Sequence, residues 1–170
     1  MTPEFLYDLD PVTRITAHAV GTPGQRVFYI QGRRDTQLIS LLAEKEQVSA
    51  LSKAIEQVLD DLAEQNPLLA SSDDMLPLMN MNLEEPLEPL FRIAQLQIGY
   101  DQDRDMLILI AQGQSGLEEE NAPSVRFCAT RQQMRALSQH AAQVVARGRK
   151  VCGNCGRPID AGGHFCPRMN

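Results

Sequence analysis

The chain of 170 residues has no tryptophan, and its longest apolar run is the six residues 106–111. A run that short cannot cross a bilayer, since a spanning helix takes roughly 20 apolar residues. The opening stretch MTPEFLYDLDP lacks a basic segment followed by an apolar one. No secretory leader is therefore expected, and a cytosolic location follows. In that compartment the four cysteines are expected as thiols or metal ligands, not as disulfides. No Walker loop, dinucleotide fingerprint or Ser-His-Asp arrangement is written in the sequence. The acidic pairs Asp60/Asp61, Asp73/Asp74 and Glu84/Glu85 lack the alternating spacing of a calcium loop and read as solvated surface.

Acidic residues are nearly missing from the C-terminal quarter. Residues 124–170 carry 8 basic and 1 acidic side chain, a net of +7, whereas residues 1–123 carry 8 basic and 21 acidic ones, a net of −13. The simplest reading is a solvated basic face beside an acidic body. The sharper one is contact with an acidic partner, nucleic acid included. Phe127 and Phe165 are the only aromatics of this stretch, too few for a base-stacking surface.

What is present is a repeat. RITAHAVG (14–21) resembles RIAQLQIG (92–99), IQG (30–32) resembles AQG (111–113), and AEKEQVSALSKAIEQVL (43–59) resembles ATRQQMRALSQHAAQVV (129–145). The order of elements is the same in both copies, which reads as an internal duplication, with repeats at about 10–65 and 90–148. Each copy predicts three strands and a helix: strands over 12–20, 26–31 and 37–42, then over 91–98, 106–112 and 125–129. Pro23-Gly24 suits the centre of a type II turn. The first helix places Val48, Leu51, Ile55, Val58, Leu59 and Leu62 on one face, and the second places Met134, Leu137, Ala141, Val144 and Val145 there. Thr130 and Gln133 have capping-box spacing, and Gly148 suits the helix end.

The expected fold is α+β: a duplicated β-β-β-α unit forming a mostly antiparallel, six-stranded sheet with two helices on one face and a small C-terminal zinc knuckle. Residues 1–150 form the duplicated domain and residues 151–170 the tail. The Pro-, Met- and Leu-rich linker 66–89 is read as a strap across its own domain or a partner-binding segment, and the acidic insert 116–123 as an exposed loop. The duplication aligns Cys128 with Leu42, so Cys128 is expected as a small core residue. It aligns His18 with Leu96 as a strand residue without a catalytic role, and His140 is read as facing solvent or the helix flank. Arg14/Arg92 and Gln31/Gln112 recur in both copies. They are read as repeated edge or turn residues, or as groups aimed at a small anion in a cleft between the repeats.

The tail VCGNCGRPIDAGGHFCPRMN has Cys152-x2-Cys155 and then Cys166-Pro167, but Met169 stands where a ribbon would have its fourth cysteine. A neutral thioether does not replace a thiolate on zinc. His164 lies two residues before Cys166, after Gly162-Gly163. Cys152, Cys155, His164 and Cys166 make a Cys3His donor set, the composition of a closed structural zinc site with no open position for water. One structural Zn2+ per chain is expected, which would supply the folding energy of a segment with almost no core.

VGTPGQRVFYIQ, LLAEKEQVSALSKAI, FRIAQLQIGYD and the terminal C-x2-C-x4-D-x3-H-x-C-P-R together resemble the bacterial family catalogued as domain of unknown function 3090. The resemblance covers nearly the whole chain. It implies a cytosolic bacterial protein and carries Cys152, Cys155, His164 and Cys166 over as the metal positions. It implies no activity. The first reading is therefore a non-enzymatic, zinc-binding interaction or adaptor module with an unknown protein partner or a second copy of itself. The others are an enzyme or anion-binding protein with a cleft between the repeats, and nucleic-acid contact through the basic tail. No membrane contact is expected.

Overall fold

A computed structural model of the chain describes residues 4–68, 80–116, 121–148, 153–155 and 166–168. Alternating apolar residues build two antiparallel meanders. The first joins β2 (Arg14–Val20), β3 (Val27–Arg34) and β4 (Gln37–Ala43). Gly24 has φ 91°, and the Gln25 amide donates to the Thr22 carbonyl at 2.9 Å, so the Pro23-Gly24 turn is of type II as expected. The second meander joins β6 (Gln95–Asp101), β7 (Met106–Gln112) and β8 (Ser124–Thr130).

Two short strands escape the sequence reading and change the architecture. β1 (Tyr7–Leu9) pairs in parallel with β8, and β5 (Pro89–Arg92) pairs in parallel with β4. The protein is α+β, but its strands form two four-stranded sheets, ordered β1-β8-β7-β6 and β2-β3-β4-β5, in place of the single six-stranded sheet expected. The run 91–98, expected as one strand, breaks at Ile93 and Ala94 and serves both sheets. Strands of three or four residues hold too few alternating positions to announce themselves. Their effect is large nonetheless, because the strand that opens each half completes the sheet of the other half.

The ladders of the two sheets correspond position by position. Arg14↔Arg33 of the first meander falls on Gln95↔Gln112 of the second, and Phe28↔Ala43 falls on Leu107↔Ala129. Laid on one another, the ladders give a register different from the one read from the sequence. The counterpart of Arg14 is Gln95, not Arg92, and the counterpart of Gln31 is Ile110, not Gln112. Over the helices the alignment that the ladders give coincides with the one read from the sequence. α1 (Lys45–Gln65) and α2 (Arg131–Ala146) each begin with a glutamine in the third position whose side-chain oxygen accepts from the residue before the helix, Gln47 from Glu44 at 2.8 Å and Gln133 from Thr130 at 2.9 Å. Each glutamine also donates to the residue just ahead of a meander, Gln47 to the Ile93 carbonyl and Gln133 to the Val12 carbonyl.

One core unites all of this. The sheets meet where Gly32 of β3 leaves room for the Phe127 ring of β8. Of the expected helix stripes, Val48, Leu51, Ile55 and Leu59 on α1 and Met134, Leu137, Ala141 and Val144 on α2 are buried, whereas Val58, Leu62 and Val145 are half-buried at their edges. The helices pack on each other at Ser52 and Ser138, the same position in each, where the Ser52 hydroxyl donates to the Ser138 carbonyl at 2.8 Å. A serine there keeps the backbones close while its hydroxyl is satisfied. Beyond the pair, α2 lies on β2 and α1 touches β6, so each helix reaches the sheet of the other half.

The outer face of the first meander carries a polar row, Thr16, Gln31 and Ser40, that is fully buried. Residues 80–84 bury it. Thr16 donates to the Met81 carbonyl at 2.7 Å, and Gln31 exchanges two hydrogen bonds with the backbone of Glu84. The Glu84 carboxylate also pairs with Arg33 and Arg14. This part of the linker is a strap on its own domain. No described helix is long and apolar enough to cross a membrane.

Candidate functional site

The four proposed metal ligands fall in the tail, of which two short turns are described. Cys155 closes the turn 153–155 and is half-buried, while Cys166 opens the turn 166–168 and is buried. Arg168 Nη1 donates to the Asn154 carbonyl at 3.2 Å, which sets the two turns side by side. Cys152 and His164 lie outside the described residues. Among the described residues no three His, Cys, Asp or Glu side chains form a metal-holding group.

Arg14 and Arg92, the recurring arginines, are not brought together. β2 and β5 are opposite edges of one sheet. Arg14 donates to the Asn80 carbonyl at 2.8 Å and pairs with Glu84 in the strap, whereas Arg92 pairs with Glu44 ahead of α1. Gln31 is buried under the strap, and Gln112 ends β7. A cleft flanked symmetrically by these residues does not exist. Cys128 is buried in β8, where desolvation pushes its thiol up to about 11, so it is not a thiolate nucleophile at neutral pH.

The structure assembles a different polar corner, at the C-terminal end of α2. Arg26, just ahead of β3, donates through Nη1 to the Val144 carbonyl at 2.7 Å and lies over the Phe28 ring. Lys45, the first residue of α1, reaches the same place. A Cβ on Gly148 would sit 2.7 Å from Lys45 Nζ and 3.0 Å from Arg26 Nη2, so both cationic groups converge on one point. They open onto a cleft of about 410 Å³ that is also lined by Gly24, Glu44, Glu46 and Arg92. α2 has no basic residue in its own last turn, and Arg26 supplies the cation that its carbonyl end favours.

Beside this corner His18 and His140 are hydrogen-bonded, Nδ1 to Nε2 at 2.9 Å, with their rings stacked. Burial, Arg147 and Arg26 hold His18 below its ordinary value, and burial, His18 and Arg147 do the same to His140. His18 lies on β2, as the sequence suggested, and His140 turns from solvent toward it; the pair itself was not foreseen. Both folded values lie below 6.5, so the unfolded chain takes up protons first as pH falls. Stability should be full at pH 8 and decline from about pH 6.5 downward, levelling once the folded rings are protonated too. Chemical unfolding at pH 8, 7, 6 and 5 tests this. The double variant His18→Asn, His140→Gln should lose less stability across that range than the parent, and an unchanged slope would refute the assignment.

Sequence reasoning did not single out Arg26 and Lys45. The sequence alignment already sets Lys45 on Arg131, but Arg26 falls on Asp105 only in the register that the ladders give.

A family model described as "Protein of unknown function (DUF3090)" matches residues 7–166. No curated protein and no solved structure matches the chain. The match takes in both meanders, both helices, the strap and the tail as far as Cys166, so the chain belongs to the DUF3090 family.

Proposed function

We propose that this protein is a non-enzymatic, cytosolic interaction module: a body made of two copies of one unit, carrying a basic tail shaped by a structural zinc. The observation that carries the zinc reading is the hydrogen bond from Arg168 to the Asn154 carbonyl. A knuckle pair needs its two cysteine turns adjacent, and this bond joins the turn of Cys155 to the turn of Cys166. The sequence supplies Cys152 and His164 to complete a Cys3His set. Three thiolates and an imidazole suit zinc in chemistry and in number. When bound, the metal would fold the tail and present its basic residues to an acidic partner. The correspondence of the ladders and of the capping glutamines supports the duplication.

Metal analysis of untagged protein purified without chelators should find one zinc per chain. His164→Ala should hold it more weakly, and Cys166→Ser should lose it. Because the body has its own core, the thermal midpoint of its unfolding should move by no more than a few degrees in either variant. Zinc-free protein from a chelator-free preparation would end the reading. Cooperative unfolding of the whole chain on metal removal would place the metal in the core instead of an appended module.

A further inference from the structure

We propose that the corner formed by Arg26, Lys45 and the end of α2 binds a small molecule through an oxyanion group, a carboxylate or a phosphate. In the second half of the protein the matching corner is already filled. There the residue ahead of β7, Asp105, forms a two-pronged ion pair with Arg131, the first residue of α2, at 2.7 and 2.9 Å. Tyr100 donates a further hydrogen bond to the same carboxylate at 2.6 Å. Arg131 thereby holds the Asp105 carboxyl below its ordinary range. The ion pair ties the hairpin to the start of the helix.

In the first half the equivalent positions hold Arg26 and Lys45. The cation at the helix start is kept, and the carboxylate opposite is replaced by a second cation. Two cations converging on one point repel, and the carbonyl end of α2 beside them offsets only part of that charge. Two carboxylates line the cleft, Glu44 and Glu46, but Glu44 is engaged by Arg92, and among the described residues neither Glu44 nor Glu46 pairs with Arg26 or Lys45. Arg26 spends Nη1 on the α2 carbonyl end, which leaves Nη2 directed at the point Lys45 also reaches. The cleft in front, about 410 Å³, falls in the range that holds small ligands. Glu46, which also lines the cleft, selects against a ligand with negative charge spread over its whole length. The ligand that fits is compact, with one oxyanion at the corner, and its charge stands where Asp105 stands in the other half. His18 and His140, whose values Arg26 and Arg147 help to lower, report on the site from alongside.

The test uses the full chain with inorganic phosphate and, separately, succinate as probes, against sodium chloride at matched ionic strength. Either probe should raise the thermal midpoint in a saturable way and raise the imidazole values of His18 and His140 measured by NMR. The two probes distinguish a phosphate from a carboxylate preference. Arg26→Asp recreates the charge pattern of the second half, with the introduced carboxylate available to Lys45 as Asp105 is to Arg131. It should fold and unfold cooperatively, yet bind either probe at least about tenfold more weakly, the loss expected for one charge-assisted contact. Lys45→Gln should weaken binding to a similar degree and serves if Arg26→Asp does not fold. A response no greater than that to chloride, or one unchanged in both variants, would overturn the proposal.

Discussion

Gly32→Val is expected to destabilise the protein by about 3 kcal/mol or more, although valine is the better strand residue. In an open strand the change would help by about 1 kcal/mol, since glycine loses more freedom on folding and packs nothing. Here a Cβ at residue 32 would lie 2.6 Å from two carbons of the Phe127 ring, a distance that real contacts do not reach. Gly32 sits between Ile15 and Ile39 in its ladders, and Phe127 is fully buried between Leu9 and Leu109 in the facing sheet. Neither partner can retreat without disturbing two ladders. Phe127→Ala alone should cost about 3–5 kcal/mol through the cavity it leaves. The double variant should lose clearly less than the two single losses added together, because valine then occupies part of the vacated space. Urea unfolding of the four proteins gives the coupling energy. Additive losses would mean that the sheets do not meet at this contact.

The same pair explains why one sheet was expected and two are found. Helix pairing could be read from the sequence because its marks are specific. Gln47 and Gln133 each hold a capping amide and an upstream carbonyl, and Ser52 and Ser138 each fit a close helix crossing. The glutamines recur with their bonds; the serines recur with their place at the crossing, since Ser52 donates to the Ser138 carbonyl while Ser138 donates to Glu56. Strands carry a weaker record. The Arg-Ile start of FRIAQLQIG drew the match onto Arg92, which ends β5, three residues short of Gln95; that odd shift lays core-facing positions on outward ones, a conflict that a stretch as short as RITAHAVG does not expose. The misregister then concealed the corner at Arg26 and Lys45, which is visible only as a departure from the other half. The tail shows the converse case. Its donor spacing is plain in the sequence, and the described structure adds the adjacency of two turns.

Division of the chain after residue 75 should abolish cooperative unfolding in each piece, and mixing the pieces should restore it. Residues 1–75 contain β2, β3, β4 and α1 but give β1 away to the other sheet, and residues 76–170 give β5 in return. Each piece alone has a three-stranded sheet with one open core face and a helix that has lost its partner. A self-paired piece is the obvious escape, since the exchanged strands correspond. Core shape opposes it. Gly32 corresponds to Ala111, and Phe127 corresponds to Leu41. Paired with itself, the first piece would set Gly32 against a leucine and leave a void, worth up to a few kcal/mol. The second would drive the Ala111 methyl toward the Phe127 ring, the clash predicted for a Cβ at residue 32. Only the mixed pair joins the smallest residue to the largest. Circular dichroism melts and sedimentation of the pieces, apart and together, separate the cases. Independent folding of either piece would show that strand exchange is not what holds the halves together, and the glycine opposite Phe127 would then need another reason.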